Sequence, residues 1–248
     1  MLRVDRLTTN FQLGRCLGIP VQMHVSSVLI VAIITWSVAT GFLPSFYDGW
    51  SRLLYWGIAL AATILLFGSV LIHELSHCLV ARRSGREVRG ITLFLFGGIS
   101  DLNEEFSSPG REFWVAVAGP VASVCLAGVA VLGFVLVDVT YIRAVLGYLI
   151  IMNLVLGGFN LFPAFPMDGG RVLRAVIWKT TGSVSRADKL ASRSGSLAGL
   201  ALIGAGAYLL VFGSLLSGIW FLGLGWFVRS AALSFRMQSS GEMNSSQS

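Results

Sequence analysis

The sequence is poor in charge. Only 12% of its 248 residues are Asp, Glu, Lys or Arg, whereas soluble globular domains carry about 25%. Charged side chains cover the surface of a water-soluble domain, and this chain has too few of them to cover a domain of its size. The composition therefore excludes an ordinary soluble domain and an intrinsically disordered chain.

Cysteine is scarce as well. The three cysteines, Cys16, Cys78 and Cys125, form no CxxC pair, which excludes a disulfide framework and a thiolate zinc site. The net charge is +6, but the basic residues occur in short clusters between apolar runs rather than along one recognition element. We therefore expect no nucleic-acid partner.

Apolar residues are abundant, at 55% of the chain, and the mean hydropathy is +0.78. A helix needs about 20 apolar residues to cross a membrane. The candidate runs are residues 25–43, 53–81, 113–137, 144–162 and 197–228. Because the last run is too long for one ordinary crossing, we divide it near 213–218. The sequence thus predicts an all-α polytopic membrane protein with about six spans.

The basic residues predict the orientation of these spans. With six spans and the N-terminus inside, sixteen of the 18 Lys and Arg residues fall in cytosolic segments, and only Arg52 and Arg143 fall outside. A five-span chain would place Arg229 and Arg236 on the opposite side. We therefore expect a multi-pass protein of the cell membrane, surrounded by lipid, with both termini cytoplasmic. The sequence indicates no oligomeric state.

Residues 86–102 differ from the spans around them. They are rich in β-forming side chains, contain Gly97 and Gly98, and are too short to cross a membrane. The sequence predicts a short β-hairpin or re-entrant element here, shielded by protein or lining a wet cavity. The polar residues after Arg236 predict disorder. We therefore expect one membrane domain over 1–236 and a disordered tail over 237–248.

The second predicted span contains His73, Glu74 and His77 in an HExxH arrangement. A spacing of four residues puts both imidazoles on one helical face, where they can share a cation. Glu74 is rotated by about 100° from His73 and can address a water beside that cation without ligating it. The alternative is two packing histidines beside a buried glutamate. Three ionisable groups in one turn of a membrane helix are costly without a function, which favours the metal.

A catalytic zinc usually has three protein ligands and one open position. The strongest candidate for the third ligand is Asp168, in the segment Asn-Leu-Phe-Pro-Ala-Phe-Pro-Met-Asp-Gly-Gly-Arg at 160–171. Two prolines in this segment break the fourth span, and Gly169 and Gly170 permit close backbone approach. Asp168 is also a suitable cap for a following helix. The residues by themselves leave both interpretations open.

Two pairs of residues are predicted to contact the substrate. Asn153 and Asn160 are seven residues apart and share a face of the fourth span. They could bind substrate or stabilise an oxyanion, or hydrogen-bond between helices in lipid. Gly97 and Gly98 could offer a strand edge to an extended substrate.

The HExxH motif and the segment 160–171 together resemble the site-2 protease family of intramembrane zinc metalloproteases. Phe-Gly-Gly-Ile at 96–99 and Ala-Val-Ala-Gly-Pro at 116–120 are similar to its prokaryotic members. The resemblance implies one zinc per chain, bound by His73, His77 and Asp168, with Glu74 as the catalytic residue. It also implies hydrolysis of peptide bonds within or near transmembrane segments of other membrane proteins. We expect no CBS or PDZ module.

Two functions of other classes compete with a protease. One is a cation transporter that uses the same ionisable residues, which the lack of inverted repeats disfavours. The other is a catalytically silent scaffold whose zinc only holds the helices together. Exchange of Glu74 for glutamine distinguishes them, because a protease would keep zinc and lose cleavage.

Overall fold

The computed structural model describes residues 10–94, 97–102 and 106–245. Helices make up most of this part of the chain. In chain order the elements are β1 (Asn10–Cys16), β2 (Ile19–His24), α1 (Ser26–Ser37), a π-helical turn (Val38–Phe42), α2 (Leu43–Phe46), α3 (Arg52–Arg83), β3 (Val88–Phe94), β4 (Gly97–Leu102), α4 (Pro109–Leu136), α5 (Thr140–Asn160), α6 (Asp168–Thr181), α7 (Val184–Phe212) and α8 (Leu215–Ser245).

The described residues contain six helices long and apolar enough to cross a membrane. They are Ser26–Phe46, Arg52–Arg83, Pro109–Leu136, Thr140–Asn160, Val184–Phe212 and Leu215–Met237. The long apolar run divides at Gly213 and Ser214, as the sequence predicts. The six-span helical fold is therefore confirmed.

The spans keep many large apolar side chains on their outer faces. Leu60, Leu132 and Val155, from three different helices, are all exposed. In water such faces would drive association, but in lipid they lie against acyl chains. The burial pattern therefore agrees with the composition of the chain.

A four-stranded sheet in the order β1-β2-β3-β4 accompanies the helices. Strands β3 and β4 pair antiparallel, with Phe94 opposite Gly97, which confirms the hairpin predicted after the second span. Strands β2 and β3 pair in parallel. Residues 95 and 96, which include the first residue of the Phe-Gly-Gly-Ile motif, lie outside the described part of the chain.

The hairpin of β1 and β2 was not predicted. Its two-residue turn, Leu17 and Gly18, has positive φ at both positions, 52° and 80°. Such turns match the twist of the flanking strands, but leucine rarely adopts this backbone conformation. The usual Asn-Gly or Asp-Gly signal is therefore missing, and the short strands before the first span are not recognisable.

The chain forms two compact units. The histidine unit, as we call it, comprises residues 2–105 and 118–158, and the aspartate unit comprises 106–117 and 159–248. Helix α4 begins in the aspartate unit and continues in the histidine unit.

Helix α8 continues past Arg236 to Ser245, through residues for which the sequence predicts disorder. Extending an existing helix avoids the cost of nucleating a new one, which explains the difference. Residues 246–248 are outside the described part of the chain. The predicted bounds of one membrane domain and a tail stay a prediction.

In the histidine unit, a buried cluster joins α3 to the sheet. Leu75 and Cys78 of α3 pack with Ile19 of β2 and with Ile91 and Leu93 of β3. These contacts surround the turn of α3 that carries His77. The sheet therefore holds the part of α3 in which the HExxH motif lies.

In the aspartate unit, α7 and α8 pack closely through small residues. A Cβ atom at Gly199 would lie 2.7 Å from the Cβ atom of Arg229, so only glycine permits this approach. Ser192 of α7 adds a buried hydrogen bond of 2.7 Å, donated to the carbonyl of Ala232 in α8. The two helices thus form a tightly packed hairpin.

Candidate metal centre

Helix α3 brings the two histidines together. His73 and His77 are both buried, and their Nε2 atoms lie 3.2 Å apart. The ring centroids are 4.9 Å apart and the ring planes are nearly perpendicular, at 79°. Two imidazole nitrogens at this distance, one turn apart on a helix, can bind one metal ion.

Gly119 of α4 lies directly against both rings. A Cβ atom at this position would be 2.2 Å from Nε2 of His77 and 2.6 Å from Nε2 of His73. The space beside the two nitrogens therefore depends on the absence of a side chain at 119. The sequence carries only a weak signal for this role, a glycine in an apolar helix, because it does not show which helix packs on α3.

Ser123 follows Gly119 by one turn and holds the ring of His73. A hydrogen bond of 2.9 Å joins its hydroxyl to Nδ1 of His73, and Ser123 is fully buried. When Nδ1 carries the proton and donates it, Nε2 presents its lone pair to a metal. Ser123 is thus a candidate positioning residue that the sequence-based predictions did not include.

Glu74 lies next to His73 on α3 and is half-buried. Helical geometry turns it by about 100° from His73, away from the line that joins the two imidazoles. Partial exposure in this position suits a carboxylate that must reach a water molecule without ligating the metal.

Asn153 of α5 is buried, with 1% of its surface exposed. Its Nδ2 donates hydrogen bonds to Ser69 Oγ, at 3.1 Å, and to the carbonyl of Leu149, at 2.9 Å. Ser69 precedes His73 by one turn of α3. Among the described residues, Asn153 Oδ1 has no hydrogen-bond partner, so this side chain presents a buried acceptor.

The other asparagine of this predicted pair lies at the end of α5. Asn160 is the last residue of that helix and is half-buried. Gly97 and Gly98 begin β4, which is an edge strand of the sheet. The substrate-binding roles of these three residues stay predictions.

Asp168 is the first residue of α6 and is half-buried. The N-cap position of this helix is Met167, which makes no side-chain cap hydrogen bond. Asp168 therefore does not occupy the cap position that the sequence left open for it. An acidic residue in the first helical turn is nonetheless favourable, because it faces the positive end of the helix dipole.

The loop before α6 folds back on the start of that helix. A Cβ atom at Gly169 would lie 2.2 Å from the carbonyl oxygen of Leu161, and one at Gly170 would lie 2.4 Å from the nitrogen of Phe165. Gly195 of α7 approaches the carbonyl oxygen of Phe165 just as closely, at 2.1 Å for its hypothetical Cβ. Three glycines thus permit the close packing that places Asp168.

His73 and His77 of the histidine unit and Asp168 of the aspartate unit are the three residues that the sequence indicates as metal ligands. Two imidazoles and a carboxylate are a common ligand set for catalytic zinc, which keeps its fourth position open. The glycine against the imidazoles provides the space that such an ion needs. The residues present therefore fit zinc.

The six apolar helices and the HExxH pair together define a polytopic membrane protein with two buried histidines that can bind one metal ion. The family model of Peptidase family M50 matches residues 61–141 and 136–202. The chain belongs to this family, the site-2 protease family, and is a multi-pass membrane protein.

Individual relatives agree with this assignment. Rip3 of Mycobacterium tuberculosis is 39% identical over 226 residues, which cover 89% of this chain and 57% of Rip3. The zinc metalloprotease MJ0392 of Methanocaldococcus jannaschii is 35% identical over 83% of this chain and 54% of its own length. This chain thus spans little more than half the length of these relatives.

A solved structure extends the likeness to the fold. The site-2 protease from Methanocaldococcus jannaschii superposes with a TM-score of 0.60 at 29% sequence identity. The match covers 92% of this chain and 95% of the solved chain. The resemblance predicted from the HExxH and Asp-Gly-Gly segments is therefore confirmed.

Proposed function

We propose that this protein is an intramembrane zinc protease, which hydrolyses peptide bonds within or near the transmembrane segments of other proteins. The observation that carries the proposal is the buried pair His73 and His77, in a membrane-spanning helix of a peptidase-family member. Both residues precede Arg82 and Arg83 at the end of α3, which puts them about 8–14 Å inside the membrane. A peptide bond cleaved there must itself enter the membrane.

His73, His77 and Asp168 are the residues that would hold one zinc ion per chain. When bound, zinc lowers the pKa of water towards about 7 and polarises the carbonyl group that is attacked. Ser123 keeps the ring of His73 in the orientation that presents Nε2, and Gly119 leaves the necessary space. Glu74 accepts the proton of the attacking water and then delivers it to the leaving amide nitrogen.

A helical substrate hides its carbonyls in internal hydrogen bonds and must unwind before attack. The edge strand β4, beginning at Gly97 and Gly98, could pair with the extended segment. Asn153 uses both hydrogens of its amide within the helices, so its Oδ1 is suited to accept an N–H group of the unwound substrate. Asn160 is the remaining candidate for a donor to the oxyanion.

The distribution of basic residues supports an orientation with both termini in the cytoplasm. Arg82 and Arg83 end α3, and the segment that follows contains Arg86 and Arg89. Positive side chains in short loops favour the cytosolic side. The predicted partners are therefore membrane proteins whose cleaved spans are reached from that side, together with lipid.

The decisive experiment compares the wild type with Glu74→Gln in the purified full-length chain. Incubation with single-span substrates containing glycine or asparagine, in liposomes, measures cleavage, and metal analysis measures zinc. We expect zinc to be retained and cleavage to fall by about 10²–10⁴-fold, because only the proton-transfer group is lost. Glu87→Gln, at an exposed carboxylate near β3, is the matched control and should cleave like the wild type.

The same experiment separates the competing functions. A scaffold would bind zinc and cleave nothing, and a transporter would move cations across the liposome membrane without hydrolysis. Equal cleavage by the Glu74→Gln variant would refute the assigned role of the glutamate. Equal cleavage of polyleucine and glycine-containing spans would refute the unwinding step.

A further inference from the structure

Arg174 of α6 is a buried cation between two buried carboxylates of the aspartate unit. Its Nε donates to Asp188 Oδ1 and its Nη1 donates to Glu112 Oε2, both at 2.6 Å. The exposed fractions of the three residues are 6% for Arg174, 4% for Asp188 and 3% for Glu112. Because these residues come from α6, α7 and α4, the ion triad joins three helices.

The guanidinium group suits this task better than any other side chain. Its planar fork can donate to two carboxylates in fixed directions, whereas a lysine ammonium is a point charge without this geometry. Burial lowers the pKa of Arg174, but the neighbouring Glu112 and Asp188 more than offset this and keep the pKa above its usual value. Arg174 therefore stays charged at every physiological pH.

Ring contacts connect the ion triad to the loop that precedes Asp168. Arg174 lies 5.8 Å from the centroid of the Phe235 ring, measured from its Cζ atom. The same Phe235 ring stacks on Phe165, with centroids 4.3 Å apart and an angle of 22° between the planes. Phe165 belongs to the loop that Gly170 and Gly195 hold by close backbone contact. Phe235 thus contacts both the middle of α6, at Arg174, and the loop before its start, at Phe165.

Stability alone does not account for a buried triad. Apolar side chains of similar volume often stabilise a protein as well as a buried ion cluster, because removing charges from water is costly. Charged hydrogen bonds are more directional than apolar contacts. Two short bonds to one guanidinium group therefore constrain the rotation of a helix and its position along its axis. The helix that carries Arg174 is α6, and α6 begins at Asp168.

We propose that Arg174 is a positioning residue, which acts through Glu112 and Asp188 to hold Asp168 in the orientation that binds metal. The inference rests on the proposed function, because it takes Asp168 as a zinc ligand. Glu112 adds a second connection, since it lies on α4, the helix whose later turns carry Gly119 and Ser123. One guanidinium group therefore bonds to α4 and α7 while it fixes α6, the helix that begins at Asp168.

The test uses the purified full-length chain loaded with Zn²⁺ or with Co²⁺, whose visible spectrum reports ligand number and geometry. Arg174→Lys keeps the charge but loses the fork. We expect it to release zinc to a chelator about 10–100-fold faster than the wild type, the range typical of lost supporting contacts around a metal site. The Co²⁺ spectrum should change with it, which a merely stabilising residue would not cause.

A second variant keeps the inference testable if Arg174→Lys does not fold. Replacing all three residues, by Glu112→Leu, Arg174→Met and Asp188→Leu, removes the buried charges together and should preserve folding. It should still release zinc faster. Ser192→Ala is the matched control, because it removes a buried hydrogen bond of the same unit that does not involve α6. Its thermal midpoint should fall while zinc release stays unchanged.

The outcomes distinguish the inference from the function on which it rests. If the wild type binds one zinc and the triad variants release it at the wild-type rate with an unchanged Co²⁺ spectrum, Arg174 is only structural. If the Ser192→Ala variant releases zinc as fast as Arg174→Lys, loosening of the unit explains the effect and the inference is wrong. A wild type that binds neither ion would overturn the proposed function, and the inference with it.

Discussion

The two histidines and Asp168 are placed in different ways. His73 and His77 need only one regular helix, because a spacing of four residues puts both on the same face. Asp168 follows a loop whose position depends on close backbone contacts at Gly169 and Gly170. Helical spacing thus places the first two proposed ligands, whereas contacts between separate segments place the third. Substitutions near the histidines should act on the rings, and substitutions near Asp168 should act by moving the backbone.

The largest effect is expected at Gly119, on the histidine side of this comparison. In Gly119→Ala the new Cβ would lie 2.2 Å from Nε2 of His77, so one or both rings must move. We expect the purified protein to lose stoichiometric zinc, as measured by metal analysis, and to lose cleavage with it.

Gly128→Ala provides the control for this prediction. Gly128 lies on the same helix, and a Cβ there would meet nothing within 4 Å. Zinc content and cleavage should match the wild type. Full zinc occupancy in Gly119→Ala would show that the space beside the rings is not where the metal binds.

The next largest effect is expected at Asp168, on the other side of the comparison. Asp168→Asn keeps the shape but removes the charge of a proposed ligand. Loss of a supporting contact lowers metal affinity about 10–100-fold, and loss of a ligand should exceed about 100-fold. Competition with a chelator of known affinity measures this change.

Asp138→Asn is the matched control, because Asp138 is an exposed carboxylate in an ion pair of 3.6 Å with Arg143. Its zinc affinity should be unchanged. Equal zinc affinity of Asp168→Asn and the wild type would remove Asp168 from the ligand set and would contradict the proposed centre.

The same comparison explains how much the sequence could predict. The six spans follow from uninterrupted apolar runs, and the common face of His73 and His77 follows from helical spacing. Both signals are local in sequence, so they can be recognised without knowledge of the fold. The hairpin of β3 and β4 was predicted for the same reason, from a short run of β-forming residues that ends in glycines.

Other features depend on which distant segments meet. Gly119 and Ser123 become recognisable only when α4 is known to pack on α3. The ion triad escaped prediction because Arg174 occurs among several basic residues, which the sequence analysis used only to predict topology, and because Glu112 is 62 residues away in sequence. The sequence thus shows the proposed ligands more clearly than the residues that support them.

A smaller effect is expected at Ser123, which supports a histidine without binding metal. Ser123→Ala removes the hydrogen bond of 2.9 Å to Nδ1 of His73. The ring can then rotate and change tautomer, so zinc affinity should fall about 10–100-fold. Isothermal titration with a competing chelator measures it.

Rescue distinguishes this role from general packing. Ser123→Thr keeps a hydroxyl group and should recover most of the zinc affinity. Ser45→Ala is the control, because it removes an exposed hydroxyl that donates to the carbonyl of Gly41. Its zinc affinity should equal that of the wild type. If Ser123→Ala bound zinc as tightly as the wild type, the orientation of His73 would have to come from the helix alone.

The smallest effect on zinc is expected at Gly195, which lies behind the aspartate loop. In Gly195→Ala the new Cβ would lie 2.1 Å from the carbonyl oxygen of Phe165 and 2.9 Å from the Cβ atom of Ala232. Overpacking of this kind costs about 1–3 kcal/mol of unfolding free energy. It should also shift the loop, so zinc affinity should fall by a few fold, less than in Ser123→Ala.

Gly204→Ala on the same helix tests whether the effect comes from the loop. Nothing lies within 4 Å of a Cβ at 204, so its stability and zinc affinity should stay close to those of the wild type. The informative measurement compares the fall in unfolding free energy of Gly195→Ala with the fall in its zinc affinity. A fall in stability without a fall in zinc affinity would mean that the aspartate loop tolerates displacement. The contrast between a helix-defined pair and a packing-defined third ligand would then be wrong, because Asp168 would hold its place without the contacts that surround it.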